Sequence, residues 1–323
     1  MKAIVQKAYG GSDVLELQEI DKPPVGDADI RVRVVAASVH AGDYFIMKGV
    51  PYVARFSAGW PRPKGYVPGY DVAGIVDAVG ASVSQLQPGD EVFGECGGGA
   101  CAEYVSAASD RFVVKPAGVS FEEVAAVPIS ALAALQGLRD AGRVKPGQRV
   151  LVNGASGGVG TFAVQIAKSM GAEVTGVCSG RNLDMVRSIG ADHVIDYTQE
   201  DFTRSGLSYD LILDNVANHS LAGLRRALTK TGTLLPNGGQ LDRRWFASAG
   251  RLIAAKVMAP FVSQRLPIFL VEMSHEDLTA IKDLIEAGTV TPVIDRTFPL
   301  SEAGQALTQV GEGHARGKVA ITV

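Results

Sequence analysis

The chain predicts an α/β fold in which a doubly wound parallel sheet is joined to a β-rich domain. Three observations predict it. Glycine-punctuated strand patterns run to about residue 120. From there to about residue 272, short apolar runs alternate with helical segments. Within that alternation a strand enters a glycine-rich turn and a helix leaves it. Alternation of this kind builds parallel sheets covered by helices on both faces. At 323 residues, with 46% apolar and 20% charged side chains, the chain is long enough for two globular domains.

In the first region, Ile30 to Val39 alternates as a strand, and Val72 to Val79 is an apolar run bounded by Gly69 and Gly80. Gln87-Pro88-Gly89-Asp90 is a turn leading to a strand at Glu91. Ser120, with Glu123 three residues on, marks a helix start. The following stretch predicts strands at Val150–Val152, Glu173–Cys178, His193–Ile195, Leu211–Leu213 and Gly232–Leu235. Helices are predicted over Gly160–Met170 and Leu183–Ile189. In the tail, a helix runs from Glu276 to Ala287, an extended segment from Pro292 to Phe298, a helix begins at Ser301, and a strand closes the chain from Lys318.

The formal net charge is −3 and the two signs are mixed, which excludes a nucleic-acid or acidic-membrane partner. Cys96, Cys101 and Cys178 have no framework spacing and fit a reducing, cytoplasmic setting. Met1 to Lys7 lacks a signal-peptide pattern. The apolar stretch from Trp245 to Val262 is interrupted by Arg251 and Lys256, so it reads as a partly buried helix rather than a membrane span. The partner implied is a small molecule.

The strongest motif is Val150-Leu151-Val152-Asn153-Gly154-Ala155-Ser156-Gly157-Gly158-Val159-Gly160. Such a turn presents backbone N–H groups at a helix N-terminus, and its glycines let a pyrophosphate approach the backbone. Ser156, Gly157, Gly158, Val159 and Gly160 are therefore candidate dinucleotide contacts. An NAD site usually carries a carboxylate at the end of the next strand. Here that strand ends Cys178-Ser179-Gly180-Arg181-Asn182. Ser179 and Arg181, with Tyr197 after the following strand, offer donors to a 2′-phosphate, so the expected cofactor is NADPH. One charge-assisted contact contributes about 1.5–3 kcal/mol, a ten- to hundredfold preference.

Gly69-Tyr70-Asp71-Val72-Ala73-Gly74, the run Ala155–Gly160, Gly190-Ala191-Asp192-His193-Val194-Ile195-Asp196-Tyr197 and His314-Ala315-Arg316-Gly317-Lys318-Val319 together carry a resemblance. The whole chain resembles the medium-chain dehydrogenase/reductase superfamily, in its zinc-free quinone oxidoreductase-like branch. The resemblance implies a GroES-like catalytic domain over residues 1–120, a Rossmann domain over 121–272 and a return to the catalytic domain over 273–323, with the active site in the cleft between them. It also implies cofactor contacts from Asn215, Asn237, Gly238 and Gly239, and from Arg316 and Lys318 in the tail. It further implies a homodimer paired through a sheet edge at about Ile268 to Val271. Zinc members have cysteine where this chain has His40, His-Glu where it has Tyr70-Asp71, and a later cysteine where it has Val127-Pro128-Ile129-Ser130. A catalytic zinc needs three protein ligands, so no metal is expected.

Without a metal, the expected reaction is hydride transfer from NADPH to a quinone or an α,β-unsaturated carbonyl. Candidate catalytic residues are His40, Asp43, Tyr44 and Tyr52. His40 replaces the asparagine usual in quinone reductases. It is read either as a donor to a substrate oxygen or a ribose hydroxyl, or as a satisfied buried histidine. Asp43 is read either as an orienting residue or as a helix cap. The loop Arg55–Lys64 either shapes the substrate entrance or is solvated. Two alternatives stay open: a zinc-free NADP-dependent alcohol dehydrogenase or carbonyl reductase, and a non-catalytic NADPH-binding sensor.

Overall fold

The computed structural model describes residues 1–50, 52, 55–63, 66–238 and 249–323. Lys64, Gly239 and the 245–248 part of the apolar stretch lie outside the described residues. The chain divides into two compact units. One comprises Met1–Ser130, Glu272–Gly288 and Pro292–Val323, and the other Ala131–Val271 with Thr289–Thr291.

The first unit is β-rich. In chain order it contains β1 (Lys2–Gln6), β2 (Leu15–Glu19), β3 (Asp29–Val39), α1 (Ala41–Lys48), α2 (Arg55–Ala58), β4 (Asp71–Val79), β5 (Glu91–Glu95), β6 (Tyr104–Ala108), β7 (Phe112–Val114) and α3 (Phe121–Ala125). The long strand β3 organises it, pairing antiparallel with β4 and β6. Its inward residues Ile30, Val32 and Val34 alternate with less buried neighbours, the pattern of a sheet with one face on a core. Ser120 and Glu123 close the expected capping box at the start of α3. The Ser120 hydroxyl accepts from Glu123 N at 3.2 Å, and the Glu123 carboxylate accepts from Ser120 N at 2.8 Å.

The second unit follows α4 (Pro128–Gln136). It contains β8 (Arg149–Asn153), α5 (Gly158–Ser169), β9 (Glu173–Cys178), α6 (Leu183–Ser188), β10 (His193–Asp196), β11 (Tyr209–Asp214), α7 (Leu221–Arg226), β12 (Leu228–Pro236) and α8 (Ala249–Met258). The five strands form a parallel sheet in the order β10-β9-β8-β11-β12. Val150, Leu151 and Val152 are all fully buried, because helices cover both faces of a parallel sheet. The edge strand expected at Ile268 to Val271 is not formed. Among the described residues, edge pairing there is one parallel bridge between Thr233 and Arg265, and Ile268 and Leu270 are exposed. A segment that makes no further ladder bonds with β12 has no partner to hold it as a strand.

The tail supplies α9 (His275–Glu286), β13 (Ile294–Pro299), α10 (Ala303–Gly311) and β14 (Lys318–Thr322). β14 pairs antiparallel with β3, placing Ala320 opposite Ser38, and Ser38 in turn lies opposite Asp71 on β4. This register brings together a buried ion pair. Lys318 Nζ donates to Asp71 Oδ2 at 3.1 Å and to Ser130 Oγ at 3.0 Å. Ser38 Oγ donates to the same Asp71 oxygen at 3.3 Å, and Ile129 N donates to the other at 3.0 Å. Lys318 is 2% exposed and Asp71 is fully buried. Among the described residues, no helix is long and apolar enough to cross a membrane.

Removing one partner of such a pair leaves an uncompensated buried charge, which costs about 3–5 kcal/mol. Lys318→Met is therefore expected to lower the denaturant midpoint sharply. Lys318→Met combined with Asp71→Leu is expected to recover most of the loss. Equal destabilisation by the single and double changes would show that the pair is not the interaction at stake.

Candidate active site

The dinucleotide-type turn begins where β8 ends. Gly154 has φ +80°, a conformation that L side chains rarely adopt. Gly160 faces a different constraint. A Cβ there would lie 2.1 Å from the Gly154 carbonyl oxygen, so only glycine lets α5 start this close to the turn. Gly157 is the N-cap of α5 and caps it with no side chain. The first N–H groups of a helix have no intrahelical acceptor, and the dipole there favours an anion. A Cβ on Gly157 would meet nothing closer than 3.5 Å, so the N-cap position has room beside it. These features fit a bound pyrophosphate.

Asn182, which the motif does not flag, ties this turn to the end of β9. Its Nδ2 donates to Ser156 Oγ at 3.0 Å and to Ser179 Oγ at 3.3 Å. Both serine oxygens act as acceptors, which leaves both hydroxyl hydrogens to donate elsewhere. Arg181 is exposed one residue earlier, and Tyr197, half exposed, follows β10. The structure adds a carboxylate that the linear order concealed. Asp196, at the end of β10, stands beside Gly180, where a Cβ would lie 2.7 Å from its Oδ2. Its Oδ1 accepts from Thr198 N at 2.9 Å and from Thr198 Oγ1 at 2.8 Å.

Further along the sheet, Asn215 follows β11 and Asn237-Gly238 follows β12. Asn237 Nδ2 donates to Asn215 Oδ1 at 2.7 Å, and the buried Asn215 Nδ2 has no partner among the described residues. Gly238 is tight against this loop, since a Cβ would lie 2.1 Å from Asn215 O. Asp214, also missed from sequence, is fully buried and accepts from Asn153 Nδ2 at 2.7 Å and from Ala217 N at 3.1 Å, fixing the loop. Ser156–Gly160, Ser179, Arg181, Tyr197, Asn215, Asn237 and Gly238 thus gather at the carboxyl ends of the parallel strands, where ligands bind doubly wound sheets.

In the first unit, His40 caps α1. Its Nδ1 accepts from Gly42 N at 3.0 Å and from Asp43 N at 3.4 Å. Nδ1 also lies 3.3 Å from Asp43 Oδ2. With the two amides donating to Nδ1, the ring hydrogen is assigned to Nε2, which is buried without a partner among the described residues. The ring stacks on Tyr70 at 5.8 Å. Asp43 is fully buried, with Oδ2 accepting from His40 N at 2.9 Å and Oδ1 from Gly69 N at 3.0 Å. Asp43 closes the capping box of α1, and the same Oδ2 lies 3.3 Å from His40 Nδ1, so both its capping and its orienting reading stay open. Burial raises its pKa, against the opposing pull of His40 and the amide donors. Burial also raises the pKa of the Tyr66 and Tyr70 hydroxyls, with Asp43 adding to both, so both stay protonated at neutral pH.

The two proposed tyrosines are engaged by packing. The Tyr44 ring presses on Gly311 of α10, where a Cβ would lie 2.2 Å from it. Arg55 lies 4.6 Å over the Tyr52 ring and 4.4 Å over Tyr9. Lys318, expected on the cofactor, has its ammonium buried against Asp71 and Ser130. Arg316 is exposed in the bend before β14.

The two glycines of the turn separate folding from binding. Gly160→Ala is expected to destabilise the second unit. Gly157→Ala is expected to leave thermal stability unchanged and weaken dinucleotide binding, since the added methyl enters space that only a ligand uses. Unchanged affinity in Gly157→Ala would remove the turn from the binding site.

The alcohol dehydrogenase GroES-like domain family matches residues 26–137, and a family described as zinc-binding dehydrogenase matches residues 189–321. The chain is 31% identical to a chloroplastic quinone oxidoreductase of Triphysaria versicolor, covering 99% of this chain and 98% of that one. It is 30% identical to a chloroplastic NADPH-dependent alkenal/one oxidoreductase of Arabidopsis thaliana, covering 99% and 79%. Its fold superposes on the quinone oxidoreductase of Coxiella burnetii with a TM-score of 0.86 and 31% identity, covering 100% and 99%. Likeness over the full length, with the glycine turn at the carboxyl end of β8, means that the chain belongs to the medium-chain dehydrogenase/reductase superfamily, in its quinone oxidoreductase-like branch, whose cofactor is a nicotinamide dinucleotide.

Proposed function

We propose that this oxidoreductase uses NADPH to reduce a quinone or an α,β-unsaturated carbonyl compound without a metal ion. The observation that carries the reading is the buried Nε2–H of His40, a donor with no partner among the described residues. An unsatisfied buried donor costs about 1–3 kcal/mol, which a ligand oxygen at that position recovers. The nicotinamide supplies hydride when bound. His40 would donate to a substrate oxygen on which negative charge develops, and conjugation in the substrate would spread that charge.

The donor chemistry opposes a catalytic zinc. Asp71 gives its oxygens to Ile129 N, Ser38 and Lys318, and His40 Nδ1 is held by backbone amides. Burial pushes the Cys96 thiol up to about 12 and Cys101 well above its ordinary value, so neither offers a thiolate. A tetrahedral site with three protein ligands does not assemble from these groups. The names of the similar quinone and alkenal/one oxidoreductases support the substrate class. Three free buried cysteines support a reducing, cytoplasmic setting. Exposed Ile268, Leu270 and Val271 support a homodimer, which a sedimentation measurement checks.

The substrate test follows NADPH oxidation with 1,4-benzoquinone, a simple enone and a plain aldehyde, with and without a chelator. Chelator-insensitive turnover of quinone or enone is expected. His40→Ala is expected to lower kcat on the enone about a hundredfold. His40→Asn, which keeps an N-cap and an amide donor, is expected to retain most of it. Chelator-sensitive aldehyde reduction would overturn the metal-free reading.

Preference for NADPH rests on Ser179, Arg181 and Tyr197, and Asp196 works against it. A carboxylate beside Gly180 repels a 2′-phosphate and favours a ribose hydroxyl. Arg181→Ala is expected to lower the NADPH/NADH ratio of kcat/KM by about tenfold or more, and Asp196→Asn to raise it. No response of the ratio to either change would sink the assignment of these residues.

A further inference from the structure

At the amino ends of the parallel strands, opposite the glycine turn, lies a cavity of about 300 Å³. Arg143, Lys145 and Arg265 line it, together with Asp210, Thr229 and Thr233. Neither Arg143 nor Lys145 has a carboxylate partner among the described residues. Asp210 is turned toward other donors: Oδ2 accepts from Arg149 N at 2.9 Å and Oδ1 from Thr229 Oγ1 at 3.4 Å. Three cations against one carboxylate give the lining a net charge of +2.

The backbone around the cavity is irregular. The helix α4 continues as a π-helix over Gly137–Gly142, a form that recurs at functional sites. Arg143 then adopts the left-handed conformation with φ +56°. Glycine is the usual residue in this position after a helix, and a side chain there costs about 1–2 kcal/mol. An arginine held at that cost points its interest to the guanidinium rather than to the backbone. The second guanidinium is fixed by the same segment, since Arg265 Nη2 donates to Ala141 O at 3.2 Å. The Arg265 backbone is also clamped to β12, through Arg265 N to Gly232 O at 2.9 Å and Leu234 N to Arg265 O at 2.9 Å.

We propose that this cavity is a second binding site, for a small phosphorylated ligand, separate from the dinucleotide site. Two arginines and a lysine lining one cavity with threonines match a dianionic phosphate, which arginine recognises through paired N–H donors. A monoanionic carboxylate would leave part of the +2 charge uncompensated. The volume is that of a small-molecule pocket, and the overall charge of −3 opposes binding of a phosphate polymer.

The test titrates inorganic phosphate, at constant ionic strength, into protein saturated with NADPH so that the dinucleotide turn is closed to the probe. Calorimetry is expected to show one saturable site. Arg143→Gly relieves the left-handed strain while removing the guanidinium, so it is expected to fold at least as stably as the parent. It is expected to bind phosphate about tenfold or more weakly with unchanged NADPH affinity, and Lys145→Gln is expected to act in the same direction. Absence of saturable binding up to about 10 mM would overturn the proposal. So would parental affinity in both variants, or malonate binding as tightly as phosphate.

Discussion

The buried pair of Asp71 and Lys318 is the interaction on which the β-rich unit depends. The two residues are 247 positions apart, and their contact fixes three strands and the start of α4 at one point. Two charges in a dry interior are tolerated only when each oxygen and each N–H finds a partner. Here Ser38, Ile129 N and Lys318 serve both Asp71 oxygens and Ser130 accepts a second Lys318 N–H, which leaves little freedom for β14 to slip against β3. A one-residue slip would carry Lys318 to the opposite face of the sheet and strand both charges.

The parallel unit rests on a different constraint, close approach of backbone. Gly160 lets α5 begin against the Gly154 carbonyl, and Gly238 lets the chain leave β12 against Asn215. The same tightness produces the ligand-facing features. Helix N–H groups remain without intrahelical acceptors, and Ser156 and Ser179 keep their hydroxyl hydrogens because each oxygen acts as the acceptor toward Asn182. The donors that a phosphate needs are thus by-products of how the sheet and helix pack.

His40 combines structure and chemistry in one ring. As an N-cap it must accept at Nδ1, and this obligation leaves Nε2 as a donor. The cap therefore orients the candidate catalytic group without any further residue to select its tautomer. Asp43 supports the same arrangement by accepting from the His40 amide and tethering α1 to Gly69.

The parallel sheet, the glycine turn and the Ser120–Glu123 capping box were legible in the sequence because each arises from neighbours a few residues apart. Apolar periodicity, turn chemistry and cap spacing act within that range. The places of most candidate dinucleotide residues were legible for the same reason, since they sit where parallel strands end. The partner of Lys318, the carboxylate of Asp196 beside Gly180, the role of Asn182 and the packing of Tyr44 on Gly311 were not, because each depends on an approach between separate elements. The missing strand at Ile268 to Val271 and the cavity around Arg143 belong with them: pairing at a sheet edge and the convergence of cations on one space are set by tertiary geometry. The sequence by itself determined the local elements and the type of turn. The tertiary structure decided which charges meet and which donors are left over, because burial and long-range partners exist only once the chain is folded.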